Sequence, residues 1–188
     1  LLYVYDKIKI LRKKAKKLYN CSVETNYKKV FQDKKVDIIF ISSPTNTHIK
    51  FIEEGMNYKK TIFCEKPLDL DIKKIKKTFN KVKKIKPKIQ LGFNRRYDPG
   101  HFSIKKDLEK NKIGKLEKVI ITSRDPAPPS AEYLKSSGGI FRDMMIHDFD
   151  LCRLYLGKDE IIEIQAFTSS FEPLYKKIND HELAVATM

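Results

Sequence analysis

Val36-Asp37-Ile38-Ile39-Phe40-Ile41-Ser42-Ser43-Pro44 is the stretch on which the fold turns. It is a short β-branched run, which reads as a strand. The Ser42-Ser43-Pro44 turn ends it. Thr47 to Met56 then reads as a helix, with Gly55 near its end. Thr61-Ile62-Phe63-Cys64 is a second short strand, stopped by Pro67. Asp69 or Asp71 can cap a long helix to about Lys86, with Ile72, Ile75, Phe79, Val82 and Ile85 at spacings of three and four. Ile89 to Phe93 is a third strand. Upstream, Leu1 to Tyr5 is an apolar run ending at Asp6, and Lys9 to Tyr19 places Ile10, Leu11, Ala15 and Leu18 on one helical side. Strands alternating with helices in this way predict a parallel sheet with right-handed crossovers.

After about Asn94 the texture changes. A helix around Pro99 to Lys110 precedes a strand at Lys118 to Ser123, and then the loop Asp125-Pro126-Ala127-Pro128-Pro129 and a Gly138-Gly139 turn. A helix from about Asp143 to Leu156 and a strand from Ile161 to Thr168 follow, and Glu182 to Met188 reads as a last strand. The division expected is residues 1–95, an α/β domain, and 96–188, part of an α+β domain.

The chain has 188 residues, 41% hydrophobic and 34% charged. That is too apolar for a disordered chain, yet no run approaches the ~18 to 20 apolar residues of a membrane span. Cys21, Cys64 and Cys152 are odd in number and lack paired spacing, against a disulfide framework or a cysteine zinc site. The expectation is a cytoplasmic location, with no membrane partner. The start, Leu1-Leu2-Tyr3-Val4, has no signal-peptide pattern and no initiator methionine. Net charge is +15, which permits nucleic acid or acidic membrane surfaces as partners. Of the 39 basic residues, however, six are arginines and 33 are lysines. Arginine forks onto phosphates and guanine edges, while lysine commonly coats solvated helix faces. The expectation is therefore no nucleic acid, and a lysine coat.

None of the seven glycines forms G-x-G-x-x-G or a P-loop. Either this is no nucleotide fold, or the first strand and its glycine turn lie before residue 1. Asp6 favours the second, because an acid at a strand end is where a dinucleotide fold receives the adenosine ribose; a helix cap is the plainer reading. Asp143-x-x-x-His147 would put carboxylate and imidazole on one helical face, an arrangement that suits proton transfer. A surface pair, or a metal site with Asp148 or Asp150, competes with it. Lys66, in Cys64-Glu65-Lys66-Pro67 at a strand's C-terminal end, stands where ligands bind in open α/β sheets, or is one more solvated lysine.

Ser42-Ser43-Pro44 with Asn46-Thr47-His48, then Cys64-Glu65-Lys66-Pro67-Leu68, resembles the Gfo/Idh/MocA family of NAD(P)-dependent sugar and cyclitol dehydrogenases. Gly92-Phe93-Asn94-Arg95-Arg96-Tyr97-Asp98-Pro99 is similar to that family's strand and domain crossover. Ser123 to Pro129, and Ser137 to Asp143 running into His147-Asp148-Phe149-Asp150-Leu151, look like its inositol 2-dehydrogenase branch. The resemblance runs from about Leu1 to Gly157 and more loosely to Met188.

It implies a Rossmann dinucleotide-binding domain followed by an α+β domain with an open, mostly antiparallel sheet. The implied reaction passes a hydride from a secondary alcohol of a cyclic polyol or sugar, myo-inositol above all, to NAD. Lys66, Asp143 and His147 would be the catalytic set. Asp6 would bind the ribose, favouring NAD over NADP because its carboxylate repels a 2′-phosphate. Ser43, Pro44, Asn46, His48, Glu65 and Lys66 would line the cofactor, and Arg95, Asp125 and His147 would face the polyol. No metal is implied, and the open sheet implies a homo-oligomer. The family's first strand and glycine turn, and the later strands of its second domain, are not in this sequence. The expectation is a fragment lacking ~20 to 30 residues in front and more behind, with loss of cofactor binding as one alternative and a lysine-rich nucleic-acid binder as another.

Overall fold

The computed structural model describes all of residues 1–188. The chain divides at Gly92 into two compact units, Leu1–Gly92 and Phe93–Met188.

The first unit alternates strands and helices, with β2 and α2 in addition to the elements expected: β1 (Tyr3–Tyr5), α1 (Lys9–Tyr19), β2 (Ser22–Glu24), α2 (Tyr27–Gln32), β3 (Ile38–Ile41), a 3-10 turn (Thr45–Thr47), α3 (His48–Asn57), β4 (Thr61–Cys64), α4 (Ile72–Ile85) and β5 (Ile89–Leu91). β1 pairs with β2, and β3, β4 and β5 lie in that order, every pair parallel. Ile41, Cys64 and Leu91 stand in one register row across the three strands. α4 is capped by Asp71, whose side chain accepts from the Lys73 amide at 2.8 Å.

Ile39, Ile41, Ile62 and Cys64 face α3, which contributes Phe51, Ile52 and Met56 to the core. Phe51 also joins an aromatic cluster with Tyr5, Tyr27 and Phe31; the Tyr27–Phe51 centroids are 5.1 Å apart, edge to face. Such pairs add ~0.5–1.5 kcal/mol beyond the area they bury. The apolar stripes of α1 and α4 are less covered than their periodicity predicts. Ile10, Leu11, Leu18, Ile72, Phe79 and Ile85 are exposed, and the one buried residue of α4 is Thr78.

The second unit contains a 3-10 turn (Asn94–Tyr97), α5 (Pro99–Glu109), α6 (Ala131–Ser137), α7 (Gly139–Asp143), α8 (Ile146–Leu156), β6 (Gln165–Ser169), α9 (Pro173–Ile178) and β7 (Leu183–Thr187). β6 and β7 pair antiparallel. The strand expected at Lys118–Ser123 does not form. No strand pairs with this run, so its ladder is not made and Ile120 stays exposed. Ile161–Ile164 is likewise outside β6. No helix is long and apolar enough to cross a membrane.

Candidate functional site

In the first unit the candidate residues follow strand ends. Asp6 follows β1; its Oδ1 accepts from the Ile8 amide at 2.7 Å, and its carbonyl accepts from Arg12 Nη1. Ser43 follows β3, with its hydroxyl 2.5 Å from that of Thr47, which in turn donates to the Pro44 carbonyl. Pro44 and Asn46 are exposed in the same turn, and Ser43 is half-buried. Beyond β4, the Glu65 amide donates to the Ile41 carbonyl at 2.9 Å. Lys66 is half-buried, Pro67 is buried, and the peptide between them is cis.

Two features brace this edge. A Cβ on Gly92 would stand 3.0 Å from the Glu65 carboxylate, and the Gly92 amide donates to the Cys64 carbonyl, so the glycine lets the β5 turn close against Glu65. His48, at the start of α3, is 1% exposed. Its Nδ1 lies 2.8 Å from the Pro67 carbonyl and its Nε2 lies 2.7 Å from the Ser43 carbonyl. The ring is thus enclosed between the turn after β3 and the turn after β4.

In the second unit, Asp143 and His147 are not on one continuous helix. Asp143 ends α7 and His147 is the second residue of α8. Between them the ladder changes step: the Met145 amide reaches back five residues to Ile140, and the His147 amide only three, to Met144. The i, i+4 argument from the sequence therefore does not describe this pair. Both residues are half-buried. Tyr133, in α6, donates its hydroxyl to Asp143 Oδ1 at 2.9 Å. Burial, then this hydrogen bond and the charges of Asp143 and Asp125, push the Tyr133 phenol up to about 12. It stays a donor to Asp143 across the neutral range. Nothing in the sequence distinguishes Tyr133 among nine tyrosines.

Asp180 holds the start of α7. It is 9% exposed, and its Oδ1 accepts from the amides of Ile140 (3.2 Å) and His181 (2.8 Å). Arg95 donates through Nη1 to Ser123 Oγ at 3.1 Å and to Asp148 Oδ1 at 2.5 Å, while Ser123 donates to the same carboxylate oxygen. Arg96 grips Asp150 with two parallel bonds of 2.6 and 2.7 Å, which hold its guanidinium still more firmly protonated. These pairs fix α8, and with it His147, to the turn after β5. They also occupy the carboxylates that a metal site would need, and no group of three His, Cys, Asp or Glu side chains is placed to hold a metal ion. Asp125 is exposed in the proline-rich loop.

Two models of one family match the chain: an oxidoreductase family with an NAD-binding Rossmann fold over residues 2–93, and the C-terminal domain of that family over residues 102–188. An inositol 2-dehydrogenase of Rhizobium meliloti is 43% identical over 143 residues, which is 76% of this chain and 43% of that one. The crystal structure of a myo-inositol dehydrogenase from Corynebacterium glutamicum aligns with a TM-score of 0.92 at 34% identity, covering 99% of this chain and 56% of that one. A scyllo-inositol dehydrogenase of Lactobacillus casei, solved with NAD(H) and scyllo-inositol bound, aligns with a TM-score of 0.85 at 33% identity, over 99% and 57%. The chain thus spans about half the length of the relatives it matches. The sheet order of the first unit and both family matches lead to one conclusion: the chain belongs to the Gfo/Idh/MocA family of oxidoreductases.

Proposed function

We propose that this chain is part of an NAD-dependent dehydrogenase that oxidises a secondary alcohol of a cyclic polyol, an inositol, to a ketone. The observation that carries the reading is the alignment over 99% of the chain with a relative solved with NAD(H) and scyllo-inositol bound. The strand ends fit such a cofactor. Asp6, oriented by the Ile8 amide, offers a carboxylate to ribose hydroxyls and would repel a 2′-phosphate. Ser43, Pro44, Asn46 and Glu65 line the turns where a parallel sheet presents its ligand edge.

NAD, when bound, supplies the hydride acceptor. The protein supplies proton handling and orientation. His147 takes the hydroxyl proton of the substrate. Asp143 stabilises the resulting imidazolium, and Tyr133 keeps that carboxylate oriented. The Lys66 ammonium donates to the substrate oxygen as negative charge develops there. Arg95, steadied through Nη1, and Asp125 face the hydroxyl pattern of the ring, where charged groups discriminate by leaving mismatched partners unsatisfied.

The 33 lysines are a solvated coat, and no nucleic acid is a partner. Three of the six arginines, the residues that fork onto phosphate, are bonded within the chain: Arg12, Arg95 and Arg96. The three cysteines are free thiols, in keeping with a cytoplasmic enzyme. Phe167, Leu183 and Val185 share one exposed face of the β6–β7 sheet, on which a second copy would pack.

The test is turnover of myo-inositol by the complete protein, followed by NADH absorbance. Lys66→Ala and His147→Ala should each cut turnover by orders of magnitude while NAD still binds. Near-parental turnover in His147→Ala would remove the proton-transfer role.

A further inference from the structure

We propose that His48 is a positioning residue for Lys66, tying the turn that carries the lysine to the turn that carries Ser43. This rests on the role proposed above for Lys66. Three observations support it. Both ring nitrogens meet backbone carbonyls, Pro67 at 2.8 Å and Ser43 at 2.7 Å, and carbonyls only accept. Each ring nitrogen that carries a hydrogen therefore donates to a turn, not to a ligand. The ring is 1% exposed, so it has no contact surface to offer a cofactor or substrate. Pro67 is the residue directly after Lys66 and brings no amide hydrogen of its own, so its carbonyl is where an outside group can hold that end of the turn. On the other flank the Glu65 amide is held by Ile41, and Gly92 closes against the Glu65 carboxylate. His48 completes this set of anchors from the helix side. A reacting group displaced by about 1 Å costs on the order of 100-fold in rate, which is the scale on which such an anchor acts.

The two contacts can be separated chemically. His48→Asn puts an amide N–H where Nδ1 stands, facing Pro67. His48→Gln puts one where Nε2 stands, facing Ser43. The experiment uses the complete protein with two readouts, steady-state kinetics and the NMR signal of the methylated Lys66 amine, assigned by its loss in Lys66→Arg. His48→Ala should lower kcat about 10- to 100-fold, with NAD affinity and the KM for the polyol within about threefold of the parent. It should also shift the Lys66 signal. His48→Asn should restore both, and His48→Gln neither. An unmoved Lys66 signal in His48→Ala, or equal rescue by Asn and Gln, overturns the proposal.

A measurement on the unsubstituted protein stands even where a variant fails to fold. Labelled-histidine NMR should find a hydrogen on His48 Nδ1, protected from exchange and bonded to the Pro67 carbonyl. A bare Nδ1 refutes the anchor. If the complete protein oxidises no inositol, the functional reading fails, while the Lys66 and His48 signals still decide this one.

Discussion

Gly55 should not tolerate alanine, although it lies inside a helix, where alanine is ordinarily the better residue. In α3 the position faces β4, and a Cβ built there would stand 2.7 Å from Ile62 Cδ1 and 2.9 Å from Ile62 Cγ1. Favourable carbon contacts lie near ~3.5–4.0 Å, so the new methyl is roughly 0.6–1.3 Å too close. Retreat is blocked, because Ile62 is 1% exposed and Phe31 already lies 3.6 Å from the same point on another side. Overpacking of this kind costs about 1–3 kcal/mol, against about 1 kcal/mol gained from helix propensity. The expected net loss for Gly55→Ala is about 1 kcal/mol.

A double-mutant cycle isolates the cause. Ile62→Val, which deletes Cδ1, should cost about 0.5–1.5 kcal/mol alone. In the Gly55→Ala background it should cost at least about 0.5 kcal/mol less. The protein has no tryptophan, so urea unfolding is followed by far-ultraviolet circular dichroism. Additivity within about 0.3 kcal/mol, or a stabilised Gly55→Ala, would refute the close approach of α3 to β4.

Two other outcomes can be read directly. The Tyr133 phenol stands at about 12 against an ordinary 10, so the stabilisation from its hydroxyl is complete below pH 10 and is lost as pH climbs through 12. Tyr133→Phe should therefore remove one tyrosine from the high end of the phenolate absorbance titration; removal from the main wave near 10 would contradict the Asp143 bond. Arg96→Lys replaces a two-pronged grip on Asp150 with a point charge and should lower the stability of the second unit by about 1–2 kcal/mol in urea. An unchanged midpoint would mean that the grip contributes nothing to holding α8.

The parts of the fold legible in the sequence are those where one signal dominates. The β3 and β4 runs are short stretches of β-branched and aromatic residues ended by proline-containing turns, and α4 carries a side-chain cap at Asp71. β2 and α2 were harder because they are short. Still, Asn26 as a cap followed by Tyr27, Val30 and Phe31 at helical spacing was a usable signal for α2. Ser130, which caps α6, and Pro173 at the start of α9 were others.

Lys118–Ser123 went the other way. Its β-branched residues favour a strand locally, but a strand is completed by pairing with a neighbour, and this run pairs with none. The helix expected across Asp143 and His147 fails at Met144, where nothing in residue type announces a change from five-residue to three-residue hydrogen bonds. Motif blocks pointed to Ser43, His48, Lys66 and His147 as candidates. Which of them touches a ligand and which holds another in place depends on burial, as His48 illustrates.

The register row Ile41–Cys64–Leu91 has a consequence for how this edge can vary. Ser42, Glu65 and Gly92 each lie one residue beyond that row, and Ser43 and Lys66 each lie two beyond. Neighbouring strands stand about 4.8 Å apart, a distance set by main-chain hydrogen bonds that side-chain exchange leaves alone. The serine and the lysine are thus mounted on a ruler graduated by the backbone. Substitution at either mark changes how far a group extends and what charge it carries, while the strand ends stay where the sheet puts them and the enclosed His48 ring spans the turns beyond. What varies at this edge is then side-chain reach and charge, on strand ends whose spacing the backbone sets.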